Sequence, residues 1–263
     1  MHIFDDGYFL NYRRMLIANW DQGLIYMACV IGILLAHELG HYVATLIYRV
    51  PSTLPIFLPF PFNPIGTFGA VIAMMGGKAN RRQIFDIGIA GPIAGLVVAV
   101  PIMFIGISKL DYSIYQGGGV SMDYPLVFRW VISWMQIEGF EHSQGVFISQ
   151  LNPYYAAAWV GMVVTGINMF PIGQLDGGHV TYTLFGKAAH WIARAMFVAA
   201  IAFMVYYNTP VMILMLFLLL LVGTDHPPTS DDSVSLGPVR TILGIVSLAI
   251  PVLCFPPFVM HIQ

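Results

Sequence analysis

Residues 23–48 read GLIYMACVIGILLAHELGHYVATLIY, an apolar run that carries His37, Glu38 and His41 in its second half. A helix crossing about 30 Å of hydrocarbon needs about 20 mostly apolar residues at a rise of 1.5 Å each. This run exceeds that length, so it reads as a membrane helix. Ionisable groups are costly at that depth, and by default they are functional or paired with one another. The simplest alternative is that they only hydrogen-bond inside a helix bundle.

The rest of the chain agrees with a bilayer setting. Of 263 residues, 58% are hydrophobic and 9% are charged, against roughly 25% charged in a soluble domain. Further apolar runs span about Asp86–Ser108, Pro153–Phe170, His190–Tyr207, Val211–Gly223 and Thr241–Val259. The expected architecture is therefore an all-α polytopic membrane protein of about six transmembrane helices. It forms a single membrane-embedded domain over residues 1–263, with a core at about 23–185 and C-terminal accessory helices at about 190–260. The stretch MHIFDDGYFLNYRR lacks the short apolar region of a removable signal peptide. Cys29 and Cys254 sit in apolar runs and predict no disulfide framework.

Between the first two runs the chain is not helical. Pro59-Phe60-Pro61 enforces an extended path, and Gly66-Thr67-Phe68-Gly69-Ala70-Val71-Ile72 suits a short strand or hairpin. The segment is too apolar for a free aqueous loop, so it is expected to dip into the membrane face against the protein. Residues 109–152 form the longest polar connection, with Gly117-Gly118-Gly119 and an interfacial stretch around Trp130 and Trp134.

Helix alternation puts Arg49, Lys78, Arg81, Arg82, Lys187, Arg194 and Arg240 on one side, against Arg13, Arg14, Lys109 and Arg129. That bias makes the first side cytoplasmic. The implied location is the cell (inner) membrane, with the site toward the cytoplasmic side. A net charge of -2 and scattered basic residues offer no stripe for nucleic acid.

His37-Glu38-Leu39-Gly40-His41 places two imidazoles at i and i+4 on one helical face, within reach of one cation. Glu38 is then set to hold a water beside it. A catalytic zinc takes three protein ligands. Asp176 is the only acid from Pro153 to Leu221, and it follows a helix break in Asn168-Met169-Phe170-Pro171-Ile172-Gly173-Gln174-Leu175-Asp176-Gly177-Gly178. Its plainer role would be a helix cap or Asx-turn.

With both segments in view, the chain resembles the site-2 proteases, intramembrane zinc metalloproteases marked by H-E-x-x-H and a later N-x-x-P-x-P-x-L-D-G. The second pattern matches Asn168, Pro171, Leu175, Asp176 and Gly177, with Gly173 where the family often has its second proline. Gly88-Ile89-Ala90-Gly91-Pro92 resembles the family's glycine-proline signature, and Gly66 to Ala70 its membrane-dipping strand. The resemblance covers roughly residues 23–185.

It implies one Zn²⁺ per chain on His37, His41 and Asp176, and Glu38 as general base. It further implies Asn168 as a contact to substrate backbone or oxyanion, or equally an amide bridging two helices. Thr67, Phe68, Gly69 and Ala70 would form a strand that clamps an unwound substrate. Implied partners are a transmembrane protein or peptide substrate, the lipid bilayer and a separate regulatory protein.

His179 is readable as a partner to the Asp176 carboxylate, or more simply as a capping or packing residue. His142, His190, His226 and His261 fall at polar edges, and His226-Pro227-Pro228 is set aside as a gate. A prenyl-peptide-processing zinc protease would take a glutamate as third ligand. A transporter or inactive scaffold is the alternative from another class, but an ion path needs polar groups spread across the bilayer depth. No serine nucleophile motif and no paired intramembrane aspartates occur.

Overall fold

Asn80 opens the second long helix through a reciprocal capping box, its side chain accepting from the Gln83 backbone while the Gln83 side chain accepts from its own. That N-x-x-Q signature starts the helix at Arg81, five residues before the sequence reading placed it. The protein is described by a computed structural model covering residues 18–59, 67–72, 74–111, 120–137, 140, 145–207, 223–256 and 261–262. The elements are α1 (Trp20–Tyr48), β1 (Ile56–Pro59), β2 (Thr67–Val71), α2 (Arg81–Ser108), β3 (Val120–Met122), α3 (Leu126–Met135), β4 (Val146–Phe147), α4 (Pro153–Asn168), α5 (Asp176–Phe185), α6 (Ala188–Tyr207), α7 (Gly237–Ser247), α8 (Ile250–Cys254) and β5 (His261–Ile262).

α1 ends where Arg49 turns left-handed (φ 55°) and returns its N–H to Leu46 and Thr45. Its exposed apolar residues, Leu24, Met27, Ile31, Leu35, Leu39, Val43 and Leu46, recur every three or four positions. They form the stripe that a lipid-facing helix presents. α2 runs antiparallel to it, with Gly95 against His37, Gly91 against His41 and Asp86 bonded to Tyr48.

α4 begins on Pro153, with Asn152 capping Tyr155 N and donating to Gly106 O. Its 16 residues cover about 24 Å, less than the hydrocarbon needs. Asp176 then starts α5, whose 10 residues add about 15 Å. The two helices are separated by a break at Met169–Leu175, and both pack against α2. The break is tolerated because it is enclosed by protein: Met169 and Ile172 are fully buried. Gly177 and Gly178 let the chain fold back, since a Cβ on them would lie 2.0 Å from Met169 O and 2.2 Å from Gly173 O.

The apolar core fills the half of the molecule away from this break, with Ile33, Met103, Ile107, Phe128, Ile132, Tyr155 and Met162 all within it. α3 covers that end, burying Phe128 and Ile132 and exposing Trp130 and Trp134. Beside it lies a three-stranded sheet in the order β4-β3-β5. The sequence reading, all-α apart from one hairpin, has no counterpart for this sheet: its strands are two or three residues long, too short for any alternation to register.

The expected hairpin is present. β1 and β2 pair antiparallel, Ile56 with Val71 and Phe57 with Ala70, with a bulge before Pro59 meets Thr67. Among the described residues, β2 has no strand on its other edge.

Four described helices are long and apolar enough to cross a membrane: Trp20–Tyr48, Arg81–Ser108, Ala188–Tyr206 and Gly237–Cys254. The expected six are thus seen in part. The third candidate, Pro153–Phe170, corresponds to α4, Pro153–Asn168, which is shorter than a span needs. The fifth, Val211–Gly223, lies almost wholly outside the described residues, as do the N-terminal stretch to residue 17, Pro61, Gly117 to Gly119 and His142. The last begins earlier than Thr241 and is interrupted at Leu248–Ala249 before Pro251.

Candidate metal centre

α1 brings His37 and His41 to one face, and the α4–α5 break delivers Asp176 opposite them. His37 Nε2 lies 3.0 Å from Asp176 Oδ2, His41 Nε2 3.2 Å from Asp176 Oδ1, and the two Nε2 atoms are 3.2 Å apart. A tetrahedral zinc with bonds of about 2.0 Å needs ligand atoms about 3.3 Å apart along each edge. Two imidazole nitrogens and the two oxygens of one carboxylate therefore stand close to the spacing such a site requires, and among the described residues no other group of three His, Cys, Asp or Glu is gathered in this way.

The orientation of His41 is fixed from behind. Its Nδ1 donates to Ile87 O at 2.7 Å, which leaves Nε2 bare and directed at the cluster. Space for both rings comes from α2, where a Cβ on Gly91 would stand 2.1 Å from His41 Nε2 and one on Gly95 3.2 Å from His37 Nδ1. Sequence reasoning noted the Gly-Pro signature here but missed its role as a socket for imidazoles.

His37 is 3% and Glu38 8% exposed. A cavity of about 200 Å³ opens over the cluster, lined by both of them and by His41, Asp176, Asn168 and His179. Ile72 and Met74, just after β2, close its far side. Asn168 Nδ2 comes within 3.4 Å of His37 Nε2. The carboxylate of Glu38 has no hydrogen-bond partner among the described residues, yet it is not a sealed orphan. It is open to the cavity.

The site's depth follows from helix length. His37 lies about 26 Å along α1 from Trp20 and about 16 Å from Tyr48, so the cluster is nearer the end that holds Arg49, Lys78, Arg81 and Arg82. Three ties the sequence did not announce brace that end. Arg240 donates to both Asp86 oxygens (2.7 and 2.9 Å), and Tyr48 donates to the same carboxylate. Arg81 donates to Thr183 O and Leu184 O at the end of α5 and to Asp232 O. His226 stacks on Tyr182 at 4.4 Å and meets His179 Nδ1 through Nε2 at 2.6 Å. Each pairs residues at least 38 positions apart, which periodicity cannot reveal.

In the polar segment after α6, burial pushes His226 below the usual histidine range. Partial burial pushes Asp232 up, but hydroxyl donors Thr229 and Tyr182 outweigh it and hold the carboxyl below its usual range.

The family model described as Peptidase family M50 matches residues 25–217. Probable zinc metalloprotease EGY1, chloroplastic, of Arabidopsis thaliana is 28% identical over 240 residues, covering 87% of this chain and 42% of that protein. Probable zinc metalloprotease EGY2, chloroplastic, of the same plant is 30% identical over 175 residues, 65% of this chain and 30% of the relative. The EGY1 protein of Oryza sativa subsp. japonica is 31% identical over 172 residues, 61% and 28% respectively. The chain thus spans less than half the length of these curated relatives.

Proposed function

The chain belongs to peptidase family M50, the site-2 protease family, and from that premise we propose that it is an intramembrane zinc metalloprotease hydrolysing peptide bonds within or beside transmembrane segments. The observation that carries this is the donor triangle of His37, His41 and Asp176, with the free carboxylate of Glu38 next to it in an open cavity. One Zn²⁺ per chain fits that set and would be held by His37, His41 and Asp176. When bound, zinc polarises a carbonyl and acidifies water beside it.

The protein's own groups do the remaining work. Glu38 takes the proton from the attacking water and delivers it to the leaving amine nitrogen. Ile87 O keeps His41 in the tautomer that presents Nε2. Asn168 directs an amide N–H toward the developing oxyanion or a substrate carbonyl.

A substrate helix has its carbonyls tied into its own hydrogen bonds, so it must unwind first. The open edge of β2 at Thr67–Val71, whose following residues Ile72 and Met74 line the cavity, supports strand addition there. The whole chain acts as one membrane-embedded protease domain, residues 1–263, on a transmembrane protein or peptide, under a regulator on a separate chain. The basic residues gathered at the site's end argue that this end faces the cytoplasm of a cell (inner) membrane; the matched relatives are chloroplastic by name.

The test is zinc content together with cleavage of a single-span membrane peptide. Wild type should bind about one zinc and cleave, Glu38→Gln should keep zinc without activity, and Asp176→Ala should weaken both. Unchanged cleavage in Glu38→Gln overturns the assignment.

A further inference from the structure

His179 lies one helical turn beyond Asp176 and lines the same cavity. α2 admits it closely: a Cβ on Gly88 would stand 2.9 Å from the His179 Cβ. Its Nδ1 is engaged with His226 Nε2 at 2.6 Å. His226 in turn is 6% exposed, stacked flat on Tyr182 (16° between planes), and its Nδ1 lies 2.5 Å from Pro227 O.

This chain of contacts fixes where the protons are. A carbonyl oxygen only accepts, so His226 Nδ1 carries the hydrogen. Burial disfavours the charged form of His226, and in the neutral ring with its hydrogen on Nδ1 the Nε2 is bare and accepts from His179. His179 Nδ1 is therefore the protonated nitrogen, and His179 Nε2 is a bare lone pair. That atom has no hydrogen-bond partner among the described residues and is not a fully buried one. Nε2 is thus open to the cavity His179 lines.

Resting on the protease reading above, we infer that His179 is a substrate-contacting residue, its Nε2 accepting a hydrogen bond from a peptide N–H beside the scissile bond, and that His226 is the positioning residue that locks the required tautomer. A bare Nε2 cannot donate to an oxyanion, which assigns His179 the amide side of the substrate. The unwound segment needs such acceptors, because its N–H groups have lost their helical partners.

The experiment uses the full chain with bound zinc and a cleavable single-span peptide, alongside two depsipeptide versions in which an ester oxygen replaces the N–H of the linkage just before or just after the scissile one. Wild type should cleave one of the two depsipeptides about two- to tenfold less efficiently than the amide, the worth of one neutral hydrogen bond. His179→Leu should lose that discrimination, cleaving amide and ester alike, while holding the wild-type complement of zinc. His179→Gln, which restores an acceptor oxygen, should recover part of it. His226→Phe keeps the stacking on Tyr182 but frees the tautomer, and the ¹⁵N resonances of His179 should report a mixture where wild type reports Nδ1–H alone.

Discrimination that persists in His179→Leu overturns the inference and leaves the protease reading intact. Loss of zinc from both His179→Leu and His179→Gln overturns it too, by making His179 a support of the metal site. Absence of all cleavage by wild type overturns the protease reading, and the inference with it.

Discussion

Replacing Gly91 with alanine tests whether the α2 glycines exist to seat the imidazoles. The added Cβ would stand 2.1 Å from His41 Nε2, 2.4 Å from its Cδ2 and 2.5 Å from its Cε1, where ordinary contact begins at 3.4 Å. The ring must therefore move by about 1.3 Å, several times the ±0.2 Å tolerance of a metal–ligand distance. It cannot move freely, because Ile87 O holds its other nitrogen. Losing an outer support of a ligand costs about 10–100-fold in metal affinity, and displacing the ligand itself should reach or exceed the upper figure. Misplacing a reacting group by about 1 Å costs about 100-fold in rate.

Gly95→Ala supplies the graded comparison: its Cβ would lie 3.2 Å from His37, a strain that a few tenths of an ångström relieve, so its loss should stay within about tenfold. Gly32→Ala on α1 meets nothing within 4 Å and should match wild type. The assay is competition for zinc against a chelator of known affinity in detergent, read beside peptide cleavage and the thermal midpoint. Gly91→Ala binding zinc as tightly as Gly32→Ala would refute the socket argument.

Further outcomes follow from the same structure. Proline at Gly69 or at Ala70 removes N–H groups on opposite edges of β2; one of the two should abolish cleavage with zinc content unchanged, and normal cleavage by both would end the strand-clamp idea. Arg240→Ala leaves the Asp86 carboxylate with Tyr48 as its one remaining side-chain donor among the described residues and should cost about 1–2 kcal/mol, the pair being partly exposed, read as a lowered thermal midpoint. His226 is depressed in the folded state, so its contribution is complete above the unfolded value of about 6.5 and is lost as pH falls from there through the lower folded value. The thermal midpoint of wild type should therefore drop over that window more than that of His226→Phe, and parallel curves would contradict it.

The sequence by itself determined the membrane class, the first two long helices and the four residues that the candidate metal centre brings together. Its signals there are local: an apolar run of bilayer length, an i, i+4 histidine pair on one face, and an aspartate directly after a Pro-Gly break. The hairpin was legible for the same reason, since proline and spaced glycine exclude helix over a short stretch. What only the tertiary structure decided is how these local pieces meet. That the chain can break between α4 and α5 depends on the enclosure of Met169 and Ile172 within the protein. That Gly91 and Gly95 hold space for imidazoles depends on the closeness of α1 to α2. The His179–His226 and Asp86–Arg240 contacts join positions 47 and 154 residues apart. Side-chain periodicity reports which face of an element is apolar; it carries no information about which distant element that face will touch.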